Sequence, residues 1–287
     1  MAKSNNYLLK LALMLLRLAL KNPSSALLIA VLGGGVYAYE YYVARPQMLY
    51  QGEPHALKPH INTFFRVLRN HGFIVGYSDW RGNPLWVEYA LTQPEANAPD
   101  LKRPSRFELD WRSLNRLDHE SYSRSGYDRG HMAPNYAISH LYGRQGQEDS
   151  FLMTNITPQK PNLNQKWWQR LEALEIDEFT KHYGKVWVIT GPIFKGSVER
   201  LSSDWRVEVP DAFYKVYLTE SNSGRHHALA FIAPQTVSGK EPLSQFVTTI
   251  DDVEAQTGLD FFAELPDSQE KALESSHDQA AWHLPNR

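Results

Sequence analysis

Tyr127-Asp128-Arg129-Gly130-His131-Met132-Ala133-Pro134 is where the chain begins to concentrate its chemistry. It is followed by Thr154-Asn155-Ile156-Thr157-Pro158-Gln159 and then by Leu163-Asn164-Gln165-Lys166-Trp167-Trp168-Gln169-Arg170-Leu171-Glu172. Gly130 permits close backbone approach, or an unusual dihedral, directly beside a histidine. Arg129 offers a planar fork matched to phosphate oxygens. A neutral histidine titrates near working pH, so His131 can take a proton from water. Asn164 supplies a neutral amide oxygen, a hard ligand for Mg²⁺, which keeps most of its waters and needs few protein ligands. On residue types alone the plain alternatives stay open: a satisfied core histidine and a helix-capping asparagine.

Taken together and in this order, the three segments resemble the non-specific DNA/RNA endonucleases of the ββα-metal fold. That group includes endonuclease G and the secreted sugar-non-specific nucleases. Asp-Arg-Gly-His alone would be a weak match, whereas all three segments in sequence are specific. Pro84-Leu-Trp-Val-Glu-Tyr89, Thr190-Gly-Pro-Ile-Phe194 and Thr257-Gly-Leu-Asp-Phe-Phe262 extend the similarity over roughly residues 48–267.

The resemblance implies that His131 is the general base. It implies that Asn164 is the one direct protein ligand of a Mg²⁺ ion, with Mn²⁺ as a substitute. Arg129 would contact the phosphate, Asp128 and Asn155 would brace the site, and Glu172 would hold a water of the metal. DNA and RNA would be the substrates, cut to 5′-phosphate and 3′-hydroxyl ends, because such a base never touches the ribose 2′ position. A homodimer would fit the resemblance. Arg103 and Arg106 compete for a second phosphate contact upstream, with Arg106 taken as the supporting residue. Some relatives carry an Arg one turn after the helix Glu, where this chain has Ile176.

Helical geometry constrains Glu172. Eight residues beyond Asn164 is a rise of about 12 Å in one straight helix, so the two cannot ligate one ion and Glu172 acts only through water. Trp167-Trp168 could stack on bases, but a tryptophan pair at a helix start more often packs in a core. His226 and His227 would point to opposite faces of a strand, a poor metal pair. The chain holds no Gly-x-Ser-x-Gly, Walker loop or dinucleotide fingerprint.

Composition narrows the field. With no cysteine there is no disulfide, thiolate metal site or Cys nucleophile. The net charge of −2 hides an asymmetry, since residues 1–46 carry +4 and the rest −6. Tight nucleic-acid binders neutralise phosphates, so an acidic body that works on nucleic acid needs a local basic cleft and must turn over rather than hold on.

Around the motifs the chain reads as one α+β domain over 47–267 with a largely antiparallel sheet. Phe73–Tyr77 and Leu85–Leu91 are strand-like and joined by the turn-rich Asp79-Trp-Arg-Gly-Asn83. Lys185–Thr190, Ala212–Leu218 and His227–Ile232 are three more strands, and Gln165–His182 is a helix. The polar tail 268–287 reads as a loose helix or disordered.

The N-terminus precedes this domain with a membrane segment. Lys3, Lys10, Arg17 and Lys21 form one basic stripe on an otherwise Leu-rich helix over 1–21, suited to an anionic membrane surface. Residues 22–43 then read as a transmembrane anchor or signal-anchor. Its uncharged run Asn22–Tyr39 would span about 27 Å as a helix, and Tyr37, Tyr39, Tyr41 and Tyr42 resemble an interfacial belt. The positive charge lies before the run, so the N-terminus stays inside and the domain is exported. That places it at a bacterial inner membrane facing the periplasm, or alternatively at the mitochondrial inner membrane. A cleaved signal peptide is disfavoured by the long leader and the poor A-x-A site. Two other functional classes compete: a catalytically weak module that binds nucleic acid or a partner at the membrane, and an anchored structural protein in which His131 is merely buried.

Overall fold

The computed structural model describes residues 2–221, 223–277 and 279–284, and the chain divides into two units between residues 47 and 48. In the first unit, α1 (Ala2–Lys21) displays Lys10, Arg17 and Lys21 to solvent, while the Lys3 side chain lies outside the described residues. Pro23 opens α2 (Pro23–Tyr39) at a position where its missing N–H costs nothing, and the Asn22 side chain accepts the Ser24 N–H at 3.0 Å. The helix continues through a π-type turn to Ala44. Pro23–Ala44 is 22 residues long and contains an 18-residue stretch of mean hydropathy 1.3 that is not buried against protein, long and apolar enough to cross a bilayer.

The second unit is built on one seven-stranded antiparallel sheet. Its strands are β1 (Arg66–Arg69), β2 (Phe73–Ser78), β3 (Asn83–Leu91), β6 (Val186–Ile193), β7 (Ala212–Glu220), β8 (His226–Pro234) and β9 (Val247–Thr248). The spatial order is β9-β8-β7-β6-β3-β2-β1. Between β3 and β6 the chain leaves the sheet to form β4 (Asp128–His131), α3 (Asn135–Ser150) and β5 (Ile156–Gln159). A long helix over 163–183, α4, then returns to the sheet and combines α-helical and π-helical turns.

Alternation along the strands buries both faces. Val87, Tyr89, Val188, Phe213, Tyr217 and Phe231 pack on α4. Ile189, Val216, Ala230 and their neighbours pack on α5 (Ile250–Thr257) and α6 (Asp267–Glu274). The domain is therefore a helix–sheet–helix sandwich, of the α+β class expected. His226 and His227 point apart as expected: His226 Nε2 meets the Tyr50 hydroxyl at 2.9 Å, and His227 stacks near Tyr183.

The tail holds a helix, as the expectation allowed, but a packed one: α6 buries Leu273, and beyond it Trp282 is 1% exposed against Phe179, Tyr183 and Tyr217. One buried tryptophan offsets the ordering cost of many polar neighbours. Residues 278 and 285–287 of that tail lie outside the described residues.

Candidate active site

β4 and β5 form a separate antiparallel ribbon that pairs Asp128 with Gln159, Gly130 with Thr157 and His131 with Ile156. With α4 it makes a strand–strand–helix unit beside the main sheet. Gly130 is required by close approach, since a Cβ there would sit 2.1 Å from the Gln159 carboxamide oxygen. Asn155 locks the end of β4. Its Oδ1 accepts the Ala133 N–H at 2.9 Å, its Nδ2 donates to the carbonyls of Ala133 and Ser150, and its own carbonyl accepts the Met132 N–H. Every polar group of this buried side chain is used on backbone, at Ala133 beside His131 and at Ser150.

His131 is 9% exposed and walled by Phe107 and Phe151, with ring centroids at 5.2 and 4.9 Å. Burial, with a smaller contribution from the Arg103 charge, lowers the imidazole to about 3. The ring is therefore neutral throughout the physiological range. Nε2 is sealed and meets no hydrogen-bond partner, so Nδ1 is the ring nitrogen left to meet the cleft. A neutral ring whose sealed nitrogen carries the hydrogen presents a lone pair at Nδ1.

That cleft has a volume of about 910 Å³ and is lined by Arg103, Asp128, Arg129, His131, Asn164 and Glu172 among others. Asp128 Oδ2 accepts from Asn164 Nδ2 at 2.9 Å and from Gln165 Nε2 at 2.7 Å. A carboxylate only accepts, so it fixes the Asn164 amide with its nitrogen inward. Oδ1 is left without a protein donor among the described residues. Arg129 is held by the His119 carbonyl, reached by Nε at 3.1 Å and Nη2 at 2.5 Å, and burial lowers the affinity of its guanidinium for the proton. Of the two competing arginines, Arg103 lines the cleft with its guanidinium 5.3 Å from the Phe151 ring. Arg106, with its side chain 61% exposed, donates instead to Glu120 at 3.0 Å.

α4 resolves the Asn164–Glu172 geometry in a way that a straight helix does not. In an α-helix eight residues leave the two side chains about 80° apart around the axis. Leu163–Trp168 is π-helical, and a π turn absorbs one extra residue. The effective spacing falls to seven, about 20° short of two full turns, with a rise of about 10 Å. Both residues line the cleft, and a rise of that size separates them along the helix.

Beneath Glu172 lies a buried network absent from the sequence reading. Glu175 Oε1 accepts from Lys215 Nζ at 2.5 Å and from the Tyr217 hydroxyl at 2.9 Å, and Oε2 accepts from Tyr89 at 3.2 Å. Lys215 and Glu175 are fully buried, and Lys215 Nζ also lies 3.9 Å from Glu172 Oε1. Burial raises the Glu172 carboxyl, Lys215 opposes that, and Glu175 adds to it. The available signal was a lysine in mid-strand in the apolar run Ala212-Phe-Tyr-Lys-Val-Tyr-Leu218, a position that a charge occupies only when paired. Trp167 and Trp168 are buried in the core rather than offered for base stacking. Ile176 lines the cleft and adds no charge there.

The chain is similar to known proteins. The sequence model of the family described as DNA/RNA non-specific endonuclease matches residues 55–268. Mitochondrial endonuclease G of Homo sapiens is 29% identical over 201 residues, 66% of this chain and 67% of that protein. The mitochondrial nuclease of Saccharomyces cerevisiae is 30% identical, covering 70% of this chain and 67% of that protein. The nuclease of Serratia marcescens is 33% identical over 150 residues, 52% of this chain and 55% of that protein. Among solved structures, an EndoG/EndoGI complex crystallised to explain EndoG inhibition superposes with a TM-score of 0.63 at 29% identity. That match covers 71% of this chain and 88% of the other.

Proposed function

The chain belongs to the DNA/RNA non-specific endonuclease family and is a nuclease, and from that premise we propose that it hydrolyses DNA and RNA phosphodiesters with His131 as general base beside a Mg²⁺ site at Asn164. The observation that carries this reading is the pairing of a neutral, half-sealed imidazole with an amide whose oxygen is turned free by Asp128, both in one cleft. An oriented neutral oxygen, with a carboxylate further along the same helix face, fits a hard cation that keeps most of its water. Mn²⁺ would substitute on the same oxygen.

The chain's own residues do the following. Arg129 and Arg103 bring positive charge to the phosphate, Arg129 from a guanidinium fixed on the His119 carbonyl. His131 Nδ1 accepts a proton from a water lying in line with the scissile bond, and the hydroxide formed attacks phosphorus. Glu172 accepts a hydrogen bond from water on the far side of the cleft. The bound cation supplies charge stabilisation of the crowded phosphate and the departing 3′ oxygen. The departing 3′ oxygen takes a proton from solvent water and His131 releases its own to solvent, so products carry 5′-phosphate and 3′-hydroxyl ends. No residue in this scheme contacts the ribose 2′ position, so DNA and RNA are both substrates.

The apolar Pro23–Ala44 helix and the basic α1 before it support a membrane anchor, with the nuclease domain on the side opposite the N-terminus. A plasmid-nicking and RNA-digestion assay with and without EDTA tests the enzymatic reading. Metal-dependent cleavage of both substrates is expected, with turnover about 10²–10⁴-fold lower in a folded His131→Ala variant. Undiminished cleavage by that variant overturns the assignment of the base.

A further inference from the structure

On the face of the sheet opposite the cleft, α5 and α6 converge on the short strand Leu259–Asp260, which pairs with His55–Ala56. α5 contributes Asp251 and Glu254, one turn apart, and α6 contributes Glu270 and Glu274, one turn apart. Carboxylate oxygens of Asp251, Glu254 and Glu274 lie within 4.8 Å of one another, and so do those of Asp260, Glu270 and Glu274. Glu274 belongs to both groups.

Glu274 is what distinguishes this place from an ordinary acidic surface. It is only 7% exposed and its Oε1 meets no hydrogen-bond donor. A solvated carboxylate can turn away from its neighbours into water, whereas this one is held among them, and a buried acceptor left without a donor is destabilising. The charges acting on Glu274 are those of four other carboxylates, Glu254, Glu270, Asp251 and Asp260. His55 Nε2 lies 3.0 Å from Asp260 Oδ2, at the edge of the cluster, with its side chain 56% exposed. Glu254 has one oxygen committed to the Phe261 N–H at 2.8 Å, which fixes the direction of the other.

We propose that Asp251, Glu254, Asp260, Glu270 and Glu274 form a calcium site that ties α5, α6 and the Leu259–Asp260 strand together on the back of the nuclease domain. The donor set is all hard oxygen, which excludes the soft metals that select Cys or His. Each group brings three carboxylates, and Glu274 joins the two groups across three elements, which suits a cation taking six to eight oxygens, whereas Mg²⁺ is held through one or two carboxylates with its waters retained. This site stands apart from the chemistry in the cleft and does not depend on it. Calcium there supports the fold of the α5–α6 corner, and cleavage proceeds without it.

The test uses the full chain in detergent micelles carrying Asn164→Ala, so that the cleft does not contribute to cation binding. Titration calorimetry with CaCl2 should give one ion per chain. Melting in CaCl2 at about a hundred times the measured Kd should lie roughly 5–10 °C above melting in EDTA. Glu274→Gln and Glu254→Gln should each abolish most of the binding and of the shift. Glu274→Gln on the otherwise unaltered chain should retain Mg²⁺-supported nuclease activity below its melting temperature. Should Glu274→Gln not fold, the double variant Asp251→Asn, Glu270→Gln, altered at more open positions, should show the same loss of calcium response. The proposal is overturned by an Asn164→Ala chain that takes up no calcium, by a shift that survives these substitutions, or by an equal response to MgCl2. It is overturned equally if Glu274→Gln raises the melting temperature in EDTA while no chain binds calcium, because Glu274 is then simply held protonated.

Discussion

Replacing Asp128 with Ala tests the orientation of the Asn164 amide more sharply than replacing Asn164 itself. One carboxylate oxygen, Asp128 Oδ2, takes both the Asn164 Nδ2 hydrogen bond at 2.9 Å and the Gln165 Nε2 hydrogen bond at 2.7 Å. Hydrogen bonds to a charged group contribute about 1.5–3 kcal/mol each when buried, but this pair lies at a cleft surface, so the lower end applies. Without the carboxylate the amide of Asn164 is free to present either its oxygen or its nitrogen to the cation. Loss of such an outer partner typically lowers metal affinity about 10–100-fold, or roughly 1.4–2.7 kcal/mol. The Mg²⁺ concentration for half-maximal plasmid nicking should therefore rise about 10-fold or more in Asp128→Ala, with most of the rate recovered at saturating Mg²⁺. Asn164→Ala should recover far less, because the oxygen itself is gone. Gln165→Ala removes only the neighbouring donor and should shift the Mg²⁺ requirement by no more than about threefold. A folded Asp128→Ala variant with an unchanged Mg²⁺ requirement and a lowered rate plateau would refute the reasoning. So would a Gln165→Ala variant that matches it.

Four further outcomes follow from the geometry. Burial holds His131 at about 3, below the ~6.5 of the unfolded chain, so between those pH values the unfolded chain binds the extra proton and stability falls as pH drops. His131→Phe should remove that dependence, up to about 5 kcal/mol over the whole window, and urea melts at pH 7 and pH 4 that differ equally in both proteins would count against it. Arg103→Ala should raise KM for DNA about 10-fold or more and flatten the salt dependence of binding, while Arg106→Ala, already paired with Glu120 at an exposed surface, should stay within about twofold; the reverse order would reinstate Arg106. Lys215→Met should cost about 3–5 kcal/mol by leaving Glu175 charged and buried, and adding Glu175→Leu should restore much of it, so a double variant no more stable than the single one contradicts the pairing. In spheroplasts or mitoplasts, added protease should digest 48–287 while carbonate washing leaves the N-terminal segment in the membrane, and full protection of the domain would reverse the proposed topology.

Much of this protein is written locally. The segments around Asp128-Arg129-Gly130-His131, Asn155 and Asn164 were legible by their order, which resembles one family, whereas the residue types alone left a core histidine and a capping asparagine open. The strands of the sheet were legible from apolar runs between turn residues, and the N-terminal helices from charge bias and an uncharged stretch of bilayer length. The two-residue period even separated His226 from His227, since a strand cannot aim neighbours at one face. Tertiary structure alone decided the rest. Phe107 and Phe151 seal His131 from opposite sides in sequence, and their burial, rather than any neighbour of the motif, keeps the imidazole neutral. Arg103 enters the cleft and Arg106 turns to Glu120, a choice set by the path of an irregular loop with no periodicity to read. The π turn at Leu163–Trp168 swings Glu172 onto the face of Asn164. That is a register change of one residue, which local propensities near the motif do not encode. Lys215 meets Glu175, and Trp282 plugs a polar tail into the core, for the same reason: each pairs residues tens of positions apart. Local pattern carries chemistry and period, while long-range burial decides which groups stay charged, which stay neutral and which face the cleft.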